Sequence, residues 1–510
     1  MALPKFIGVE RDAKVSAMDQ DLDTLEKIVQ LYNSDKGEYP LKATKVTISD
    51  QTLKDTLSKI NDDSSEVYEI DIDKIKPYLE RLKFNDSTAD TYLYSTKTGT
   101  AINKQGKMDS NNNIHYILNT NVNLNDSIKP LKFYLPVGSV SSNDFFIINI
   151  DNNNLYGSGD NGHAQLGDGT SGGSKLTPIN ISSINGIKFR KIASSIDHTL
   201  AIGDDGELYS WGYNGFGQIG NNTIGSGGNI YSSVTTPQKI TLESGVKPTQ
   251  IAVGDSFSMA IGDDGNLYSW GYNEYGKLGD GTTIERHIPT KVTLASGVKP
   301  TQIACGIRHS MAIGDDGKLY TWGVNWNGEL GDGTSGGGNF KKTPIEITLE
   351  SGVKVIQISC GVESSMAIGD NGELYTWGRN DYGQLGNGTI GYYTSKSSPT
   401  KIILASGVKP KQIACGGSHT MAIGDNGELY TWGLNSYGQL GNNTTIDAPT
   451  PIKITLASGI KPKQIACGYN HSMVIDDEDN VYTWGRNGGA LGNSSPSNEI
   501  IPTKVEYDFK

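Results

Sequence analysis

A repeated sequence pattern fills the chain from about residue 140 to its end. The segment SCGVESSMAIGDNGELYTWGRNDYGQLGNGT, residues 359–389, recurs with few changes as ACGGSHTMAIGDNGELYTWGLNSYGQLGNNT at residues 414–444. Aligning the copies on the tryptophan that precedes glycine gives Trp211, Trp270, Trp322, Trp377, Trp432 and Trp484. A degraded seventh copy, residues 141–170, has Ser158 at this position. Self-similarity at such a period predicts an array of similar units that stack on one another.

Each copy predicts four short strands separated by tight turns. In one copy the strands are PTKVTL, TQIACG, HSMAIG and KLYTWG, within residues 289–323. The intervening GDDG is typical of a hairpin turn, because Asp and Gly tolerate the backbone conformations that such turns require. Four-stranded sheets of this kind bury their faces by packing radially as a β-propeller. The sequence therefore predicts seven blades, and the final segment Pro502–Phe509, which copies the PTKVTL strand, is expected to close the first blade.

Composition narrows the range of partners. Of 510 residues 64 are glycine, which suits a turn-rich β array, and the formal net charge is −12. Binding to nucleic acid needs a positive surface that displaces counterions, so we expect no nucleic-acid partner. No apolar run approaches the roughly 20 residues of a membrane-spanning helix. A membrane contact is therefore expected only through a segment missing from the N-terminus.

Several apparent catalytic or metal-binding patterns occupy regular repeat positions. GSGDNG at residues 157–162 and GYNEYGKL at residues 271–278 imitate nucleotide-binding loops, but both align with blade turns. Four histidines share one repeat position and four cysteines share another, which predicts buried structural side chains on different blades. These residues are His198, His309, His419 and His471, and Cys305, Cys360, Cys415 and Cys467. We expect no enzyme activity, no cofactor and no metal, and the sequence leaves calcium at the hairpin aspartates open.

Aromatic residues at variable repeat positions are the candidates for partner binding. Four lie five residues after the repeat tryptophan, and Trp326 is displaced by one. Loops of unequal length add four more, so that the candidate set is Phe216, Tyr275, Trp326, Tyr382, Tyr437, Tyr231, Phe340, Tyr392 and Tyr393. Equivalent blade positions form a circle on one face of a propeller, and exposed aromatics on a rigid frame are typical contact anchors. Packing between blades is the alternative interpretation.

The repeat resembles a known family. LYTWGxNxxGQLGxGT, preceded by CGxxHTMAIG, is similar to the repeat named after the regulator of chromosome condensation, over about residues 132–510. That resemblance implies a seven-bladed propeller but no single activity, because propellers host unrelated functions. Secreted bacterial inhibitors of β-lactamase carry similar repeats and use one face to bind a protein.

The N-terminal residues resemble a second family. An apolar stripe at helical spacing is followed by GEYP at residues 37–40. The stripe comprises Val15, Met18, Leu22, Leu25, Ile28, Val29 and Tyr32. This combination resembles type IV pilins and type II secretion pseudopilins, and it implies that an apolar half-helix is missing before an added Met1. Two short helices are expected at residues 49–60 and 73–84, and TYLYSTKTGTAINK at residues 91–104 predicts a hairpin.

Together the two resemblances imply an α+β pilin-like domain, residues 1–128, with a long N-terminal helix and a small antiparallel sheet. An all-β seven-bladed propeller follows at residues 129–510. The function implied is a minor type IV pilin that displays the propeller at the pilus tip, on the bacterial cell surface, as an adhesin. Its partners would be other pilin subunits, through the helix, and a host-surface protein or glycan, through the propeller. The alternatives are a pseudopilin of a type II secretion-like system and a secreted propeller that binds or inhibits a protein.

Overall fold

The computed structural model describes residues 154–505, except 182–185, 225–232, 457–459, 479, 490 and 496, together with seven strands between residues 41 and 150. The chain divides into two compact units, Met1–Pro130 and Leu131–Lys510. In the described residues every regular element is a strand, apart from one 3-10 turn at Glu274–Gly276.

The described residues of the first unit form two antiparallel sheets. The larger is β1 (Leu41–Lys45), β2 (Val67–Ile70), β3 (Tyr92–Ser95) and β4 (Ala101–Asn103), and the smaller is β5 (Lys107–Met108) and β6 (Ile114–His115). Tyr92 pairs with Asn103, which confirms the hairpin expected at residues 91–104. The expected long helix with its stripe from Val15 to Tyr32, and the two short helices, lie outside the described residues.

The described residues of the second unit form seven antiparallel sheets that follow one another along the chain. The first has three strands, β7 (Phe145–Ile150), β8 (Asn154–Asp160) and β9 (Ser174–Asn180). The next three have four strands each: β10 (Phe189–Ser194), β11 (His198–Gly203), β12 (Leu208–Tyr213), β13 (Ser233–Ile240); β14 (Pro248–Gly254), β15 (Phe257–Gly262), β16 (Leu267–Gly271), β17 (Arg286–Val292); β18 (Pro300–Cys305), β19 (His309–Gly314), β20 (Leu319–Val324), β21 (Phe340–Ile347).

The last three sheets repeat this arrangement. They are β22 (Val355–Cys360), β23 (Ser364–Gly369), β24 (Leu374–Gly378), β25 (Lys396–Ile402); β26 (Pro410–Cys415), β27 (His419–Gly424), β28 (Leu429–Gly433), β29 (Ala448–Ile454); and β30 (Pro462–Cys467), β31 (His471–Asp476), β32 (Val481–Gly485), β33 (Glu499–Lys504). We call the first strand of each four-stranded sheet its innermost strand and the fourth its outermost strand.

The predicted fold class is wrong in two respects. The described residues are nearly all β, and they show no α+β pilin-like domain built on a long helix. In the described residues the propeller has six complete blades rather than seven, because three strands of the degraded first copy are described. Residues 136–141, which align with the innermost strand of the other copies, lie outside the described residues.

The predicted assignment of strands to blades is also wrong. The PTKVTL strand was expected to begin its blade, but β17 pairs with β16 of the preceding copy, with Leu267 opposite Val292. In the same way β33 completes the last blade, where Thr503 lies opposite Thr483, and does not close the first. A repeat has the same period wherever its start is drawn, so the period alone cannot say which edge a strand joins.

The hydrophobic core lies between neighbouring blades. Each second strand is buried along its whole length, as in His309–Gly314, because adjacent sheets cover both of its faces. One core cluster joins Phe257 and Leu267 of one blade to Ile303, Tyr320 and Trp322 of the next. Both middle strands therefore read as apolar runs rather than as alternating sequences.

Each repeat tryptophan ties its blade to the one before. The indole Nε1 of Trp270 donates a hydrogen bond of 2.9 Å to the backbone carbonyl of Gln218, to which Ser258 Oγ also donates at 2.9 Å. The five other repeat tryptophans make the equivalent bond at 2.8 to 2.9 Å. Ser158 replaces the indole in the first sheet, and its Oγ donates to the carbonyl of Gly489 in the last blade at 2.7 Å. Hydrogen bonds thus join the first sheet to the last.

Candidate functional site

The two ends of the propeller carry different connections. At one end, which we call the loop end, the first strand of a blade connects to the second and the third connects to the fourth. The opposite, hairpin end carries the tight turn between the second and third strands and the connection to the next blade. The aromatic candidates that the structure describes lie at the loop end, in the connection between a third and a fourth strand or, for Phe340, at the first residue of a fourth strand.

Phe216 belongs to a row of rings that crosses blade boundaries. Its ring centroid lies 4.4 Å from that of Tyr272 in the next blade and 6.1 Å from that of Tyr213. The ring of His163, on the first sheet, lies 5.0 Å from Tyr213. For Phe216 the structure therefore favours packing between blades, and its side chain is only partly exposed.

Tyr275 forms a second group with Trp326 and Phe340, at centroid distances of 5.1 and 5.9 Å. Its φ of +63° lies in the left-handed region, which is strained for a bulky residue. Arg308 lies over the Trp326 ring at 5.3 Å, and the Trp326 Nε1 has no hydrogen-bond acceptor among the described residues. Backbone strain that holds an aromatic ring against its neighbours is typical of a functional surface.

Tyr392 and Tyr393 are the most exposed of the candidates, at 72% and 94% of their surface, and their rings meet edge to face at 5.1 Å. The loop beneath them is held by Asn380, whose Nδ2 donates to Thr394 Oγ1 at 3.0 Å. Exposed aromatic rings on an anchored loop lose little conformational freedom when a partner binds.

The remaining candidates lie elsewhere in the circle. Tyr382 is 37% exposed on the blade that carries Tyr392 and Tyr393. Tyr437, on the next blade, has the Arg486 guanidinium 5.5 Å from its ring. Tyr231 lies outside the described residues. The candidates thus form local groups around the loop end rather than one continuous patch.

Charged residues that the sequence analysis missed lie beside these rings. Asp197 is buried and accepts hydrogen bonds from His198 Nδ1 at 2.8 Å, Ser256 Oγ at 2.8 Å and Gln218 Nε2 at 3.0 Å. Burial alone would raise the pKa of Asp197, but these bonds and the adjacent imidazole hold that pKa below its ordinary value. Asp197 therefore joins two blades through a buried network.

Lys277 is a buried cation at the same end. Its Nζ donates to the backbone carbonyl of Asp255 at 2.7 Å and lies 5.0 and 4.6 Å from the ring centroids of Phe257 and Tyr272. Burial lowers the pKa of Lys277 to about 8, and burial raises the pKa of Asp255. The lysine thus holds a charge in a site made largely of rings and backbone oxygens.

Glu329 occupies the corresponding position in the next blade. Its carboxylate accepts the Asn327 backbone N–H at 2.9 Å and the Asn327 Nδ2 at 3.1 Å. Burial, assisted by the negative charge of Glu363, raises the pKa of Glu329 to about 7. Nearby, Arg379 donates to Glu363 at 2.6 Å and to Asp381 at 2.7 Å, which makes a charged cluster at the surface.

A sequence signal for Lys277 and Glu329 was present but was not used. Four copies have glutamine at this repeat position, namely Gln165, Gln218, Gln384 and Gln439. Lys277 is the lysine of GYNEYGKL, the segment that imitates a nucleotide-binding loop, and its buried position excludes that role. Departure from the repeat consensus at a buried position marks both residues.

The histidines and cysteines are structural, as expected. The Nε2 of His309 lies 3.0 Å from Ser365 Oγ of the next blade, and burial lowers the pKa of His309 to about 4. All four cysteines are free and buried. The described residues contain no group of three or more His, Cys, Asp or Glu arranged to hold a metal ion.

The hairpin aspartates are engaged by protein donors. Asp263 accepts the backbone N–H of Lys247 at 3.0 Å, and Asp264 accepts the hydroxyl of Tyr268 at 2.8 Å. The same pair of roles recurs at Asp315 and Asp316 in the next blade. These carboxylates therefore fix the turns. In the described part of the chain no helix has the length and apolar character needed to cross a membrane.

Comparison with known families agrees with the repeat geometry. Residues 102–411 match the RCC1-like domain family, and RCC1 repeats match residues 426–475 as well as 411–439 and 463–488. The chain belongs to the RCC1-like domain family. Its resemblance to this repeat, stated from sequence, is confirmed.

Two relatives match a similar part of this chain but differ in the share of their own length that is covered. The chain is 33% identical over 353 residues to the ultraviolet-B receptor UVR8 of Arabidopsis thaliana, covering 69% of this chain and 77% of the receptor. It is 32% identical over 336 residues to the E3 ubiquitin-protein ligase HERC2 of Homo sapiens, covering 65% of this chain but 7% of the ligase.

Solved propellers share the fold. Yeast RCC1 (Prp20), in a crystal structure with Kap60, has a TM-score of 0.61 and 23% identity, with 72% of this chain and 85% of that chain covered. Human WBSCR16 has a TM-score of 0.58 and 26% identity, with 66% and 86% covered.

These relatives contradict the predicted function. They are RCC1-like receptors, regulators and ligases, and nothing in them points to a pilus. The predictions of a minor pilin, a pilus-tip adhesin and pilin partners are therefore wrong. The alternative of a propeller that binds a protein agrees better with them.

Proposed function

We propose that the loop end of this propeller is a protein-recognition surface and that the chain acts as a binding or regulatory module rather than as an enzyme. The observation that carries the proposal is the exposure of Tyr392 and Tyr393, 72% and 94%, on a loop anchored by Asn380. Tyrosine is among the residues that most often supply the binding energy of protein interfaces.

The surroundings of this pair suit a protein partner. Arg379, Glu363 and Asp381 form a charged cluster on the same blade and its loops, and Arg308 borders the Tyr275 group. Aromatic anchors beside mixed charges are the composition of protein interfaces, in which rings supply burial and charges supply orientation. Known family members support the same class of partner. Yeast Prp20 has been crystallised with Kap60, and its binding to Gsp1p and histones has been studied.

A non-catalytic role fits the chemistry of the described residues. The buried Asp197, Lys277 and Glu329 are each engaged with neighbouring protein groups. The match to HERC2 covers 7% of that ligase, so the likeness carries no inference of ligase activity.

Site-specific photo-crosslinking in the native cell tests the proposal. The photoreactive residue p-benzoyl-phenylalanine replaces Tyr393 at the loop end or, as a control, Ile403, which is 64% exposed at the hairpin end. We expect a discrete crosslinked protein from position 393 that position 403 does not give. Equal products from both positions, or none from position 393, would contradict the proposal.

A further inference from the structure

Two buried nitrogens in the blade of β26–β29 have no hydrogen-bond partner among the described residues. They are Nδ1 of His419 and Nε2 of Gln439, whose side chains are 1% and 0% exposed. Buried polar atoms in folded proteins are almost always hydrogen-bonded, because a buried polar atom without a partner lowers stability. Two such atoms in one blade therefore point to a group that joins them.

In another blade one carboxylate binds the equivalent two atoms. Asp197 Oδ1 accepts a hydrogen bond from His198 Nδ1 at 2.8 Å, and Asp197 Oδ2 accepts one from Gln218 Nε2 at 3.0 Å. His198 aligns with His419 in the repeat, and Gln218 aligns with Gln439. The blade of β10–β13 thus shows what this pair of side chains can hold.

The amide of Gln439 is oriented like that of Gln218. Its Oε1 accepts the Tyr437 backbone N–H at 2.9 Å, as the Gln218 Oε1 accepts that of Phe216 at 3.0 Å. This shared bond turns each Nε2 toward the connection between the first two strands of its own blade. For Gln218 that connection carries Asp197.

The His419 ring is also held as in the other blade. Its Nε2 lies 3.0 Å from Ser472 Oγ of the next blade, as the His198 Nε2 lies 2.8 Å from Ser258 Oγ. The Ser472 hydroxyl donates to the Gln439 carbonyl at 2.7 Å, so the ring proton of His419 is on Nε2. Burial lowers the pKa of His419 to about 3, which keeps the ring neutral and leaves Nδ1 as an acceptor.

The side chains beside this histidine nitrogen are smaller than in the other blade. Ser418 replaces Asp197. Gly416 replaces Ser195, whose Oγ lies 3.0 Å from the histidine Nδ1 of that blade. A Cβ added to Gly416 would lie 2.6 Å from Nδ1 of His419, so this nitrogen lies beside the connection at residues 416–418. Ser418 is half-buried, which opens the connection to a ligand at the loop end.

The charges on the neighbouring blades do not oppose an anion here. On the preceding blade Glu363 aligns with Ser418, and its carboxylate accepts from Arg379 at 2.6 Å and lies 3.8 Å from Arg308. On the following blade the aligned residue is Asn470, which has no charge. An acidic ligand therefore meets no unpaired negative charge at these aligned positions.

We propose that Ser418, His419 Nδ1 and Gln439 Nε2, together the Ser418 site, bind a carboxylate from an aspartate or glutamate side chain of the partner protein. The source of the carboxylate rests on the function proposed for the loop end, whereas the site itself does not. The bound carboxylate accepts from Gln439, and His419 takes up a proton from water at Nδ1 and donates it to the second oxygen. This reproduces the contacts of Asp197, and such charge-assisted bonds are strong in a buried place.

Formate tests the site without the partner. The histidine ring NMR signals of the full chain are followed during a formate titration at constant ionic strength, and His419→Gln assigns the signal of His419. We expect formate to move this signal to its imidazolium position. Ser418→Asp should place it there without formate and abolish the response. Ser436→Asp adds the same charge at an exposed position of the same blade and should respond as the parent does.

Gln439→Glu is a second variant, which the fold accommodates because Glu329 occupies this position in another blade. It replaces the Nε2 donor by an acceptor and should weaken formate binding at least tenfold. Absence of a formate response in the parent, the result expected if the site holds only water, would overturn the site. An equal response in the parent and in the Ser418→Asp variant would overturn it as well.

The partner crosslinked at position 393 tests the source of the carboxylate. We expect Ser418→Asp to weaken its binding at least tenfold, because the chain then fills the site with its own carboxylate, and Ser436→Asp to change it less than threefold. Equal effects of the two variants would overturn the assignment to an acidic side chain of the partner. A formate response without any partner at position 393 would instead contradict the function proposed for the loop end.

Discussion

Replacing Glu329 by glutamine should stabilise the propeller in a pH-dependent way. The carboxyl is buried, and its pKa is raised from 4.5 to about 7. A raised pKa means that the folded state binds more protons than the unfolded state between these values. The contribution of this carboxyl to the unfolding free energy of the parent is therefore fully present below pH 4.5, is lost as pH rises to about 7, and does not change further above that pH. A shift of this size corresponds to about 3 kcal/mol.

Glutamine is the residue that other blades use at this position, where Gln384 Oε1 accepts the Tyr382 backbone N–H at 3.0 Å. Glu329→Gln keeps the equivalent acceptor for the Asn327 N–H and removes the ionisation. The variant should therefore gain about 3 kcal/mol over the parent between pH 4.5 and pH 8. The reverse change, Gln384→Glu, is the matched control and should lose stability over the same window.

Urea unfolding followed by tryptophan fluorescence measures this difference, because all seven tryptophans lie within residues 211–484 and report on the propeller alone. Titrations of other groups are common to parent and variant and cancel in the comparison. A difference in unfolding free energy that does not change with pH would refute the reasoning, since it would show that Glu329 titrates normally.

Three further outcomes are expected. The parent should become more stable as pH rises from about 8 to 10.5, because burial lowers the pKa of Lys277 in the folded state and the unfolded chain therefore binds more protons in this range. Lys277→Gln should remove this rise, and urea unfolding at several pH values across the range measures the difference. Trp432→Phe should cost about 2 kcal/mol in unfolding free energy, since the Gln384 carbonyl loses its indole donor and the core loses volume, whereas Tyr430→Phe should cost under about 1 kcal/mol. The four buried cysteines should resist a thiol reagent in the native protein and react fully in denaturant, because burial raises their pKa, that of Cys415 to about 12.

Local structure was readable from the repeat. The hairpin between His309–Gly314 and Leu319–Val324 follows from apolar strands around a GDDG turn, and the structure shows it in register. The structural role of the histidines followed from their spacing, because residues on different blades cannot converge on one metal. Both conclusions depend only on contacts that recur in every copy.

The assignment of strands to blades, the number of blades and the departures from the repeat consensus were harder to predict. The period of a circular repeat is the same for any starting strand, so β17 was assigned to the wrong blade. The degraded first copy matches the others in sequence over its core, but the described residues show three strands for it rather than four. Lys277 and Glu329 were detectable from the repeat alignment, since each replaces a glutamine that is buried in other copies.

The functional prediction failed for a different reason. A stripe such as Val15 to Tyr32 indicates an amphipathic helix, and many unrelated proteins contain one. The propeller repeat was the more specific signal, and it alone identified the family. Among the aromatic candidates, sequence could not separate Phe216, which packs on Tyr272, from Tyr393, because exposure depends on the loop conformation.

The most direct test of the account is the affinity of a partner captured at position 393, measured by titration calorimetry with purified proteins. We predict that Tyr392→Ala combined with Tyr393→Ala weakens binding at least tenfold, while Ile403→Ala at the hairpin end leaves it unchanged. Unchanged affinity in the tyrosine variant, or an equal loss in the Ile403 variant, would contradict a recognition surface at the loop end.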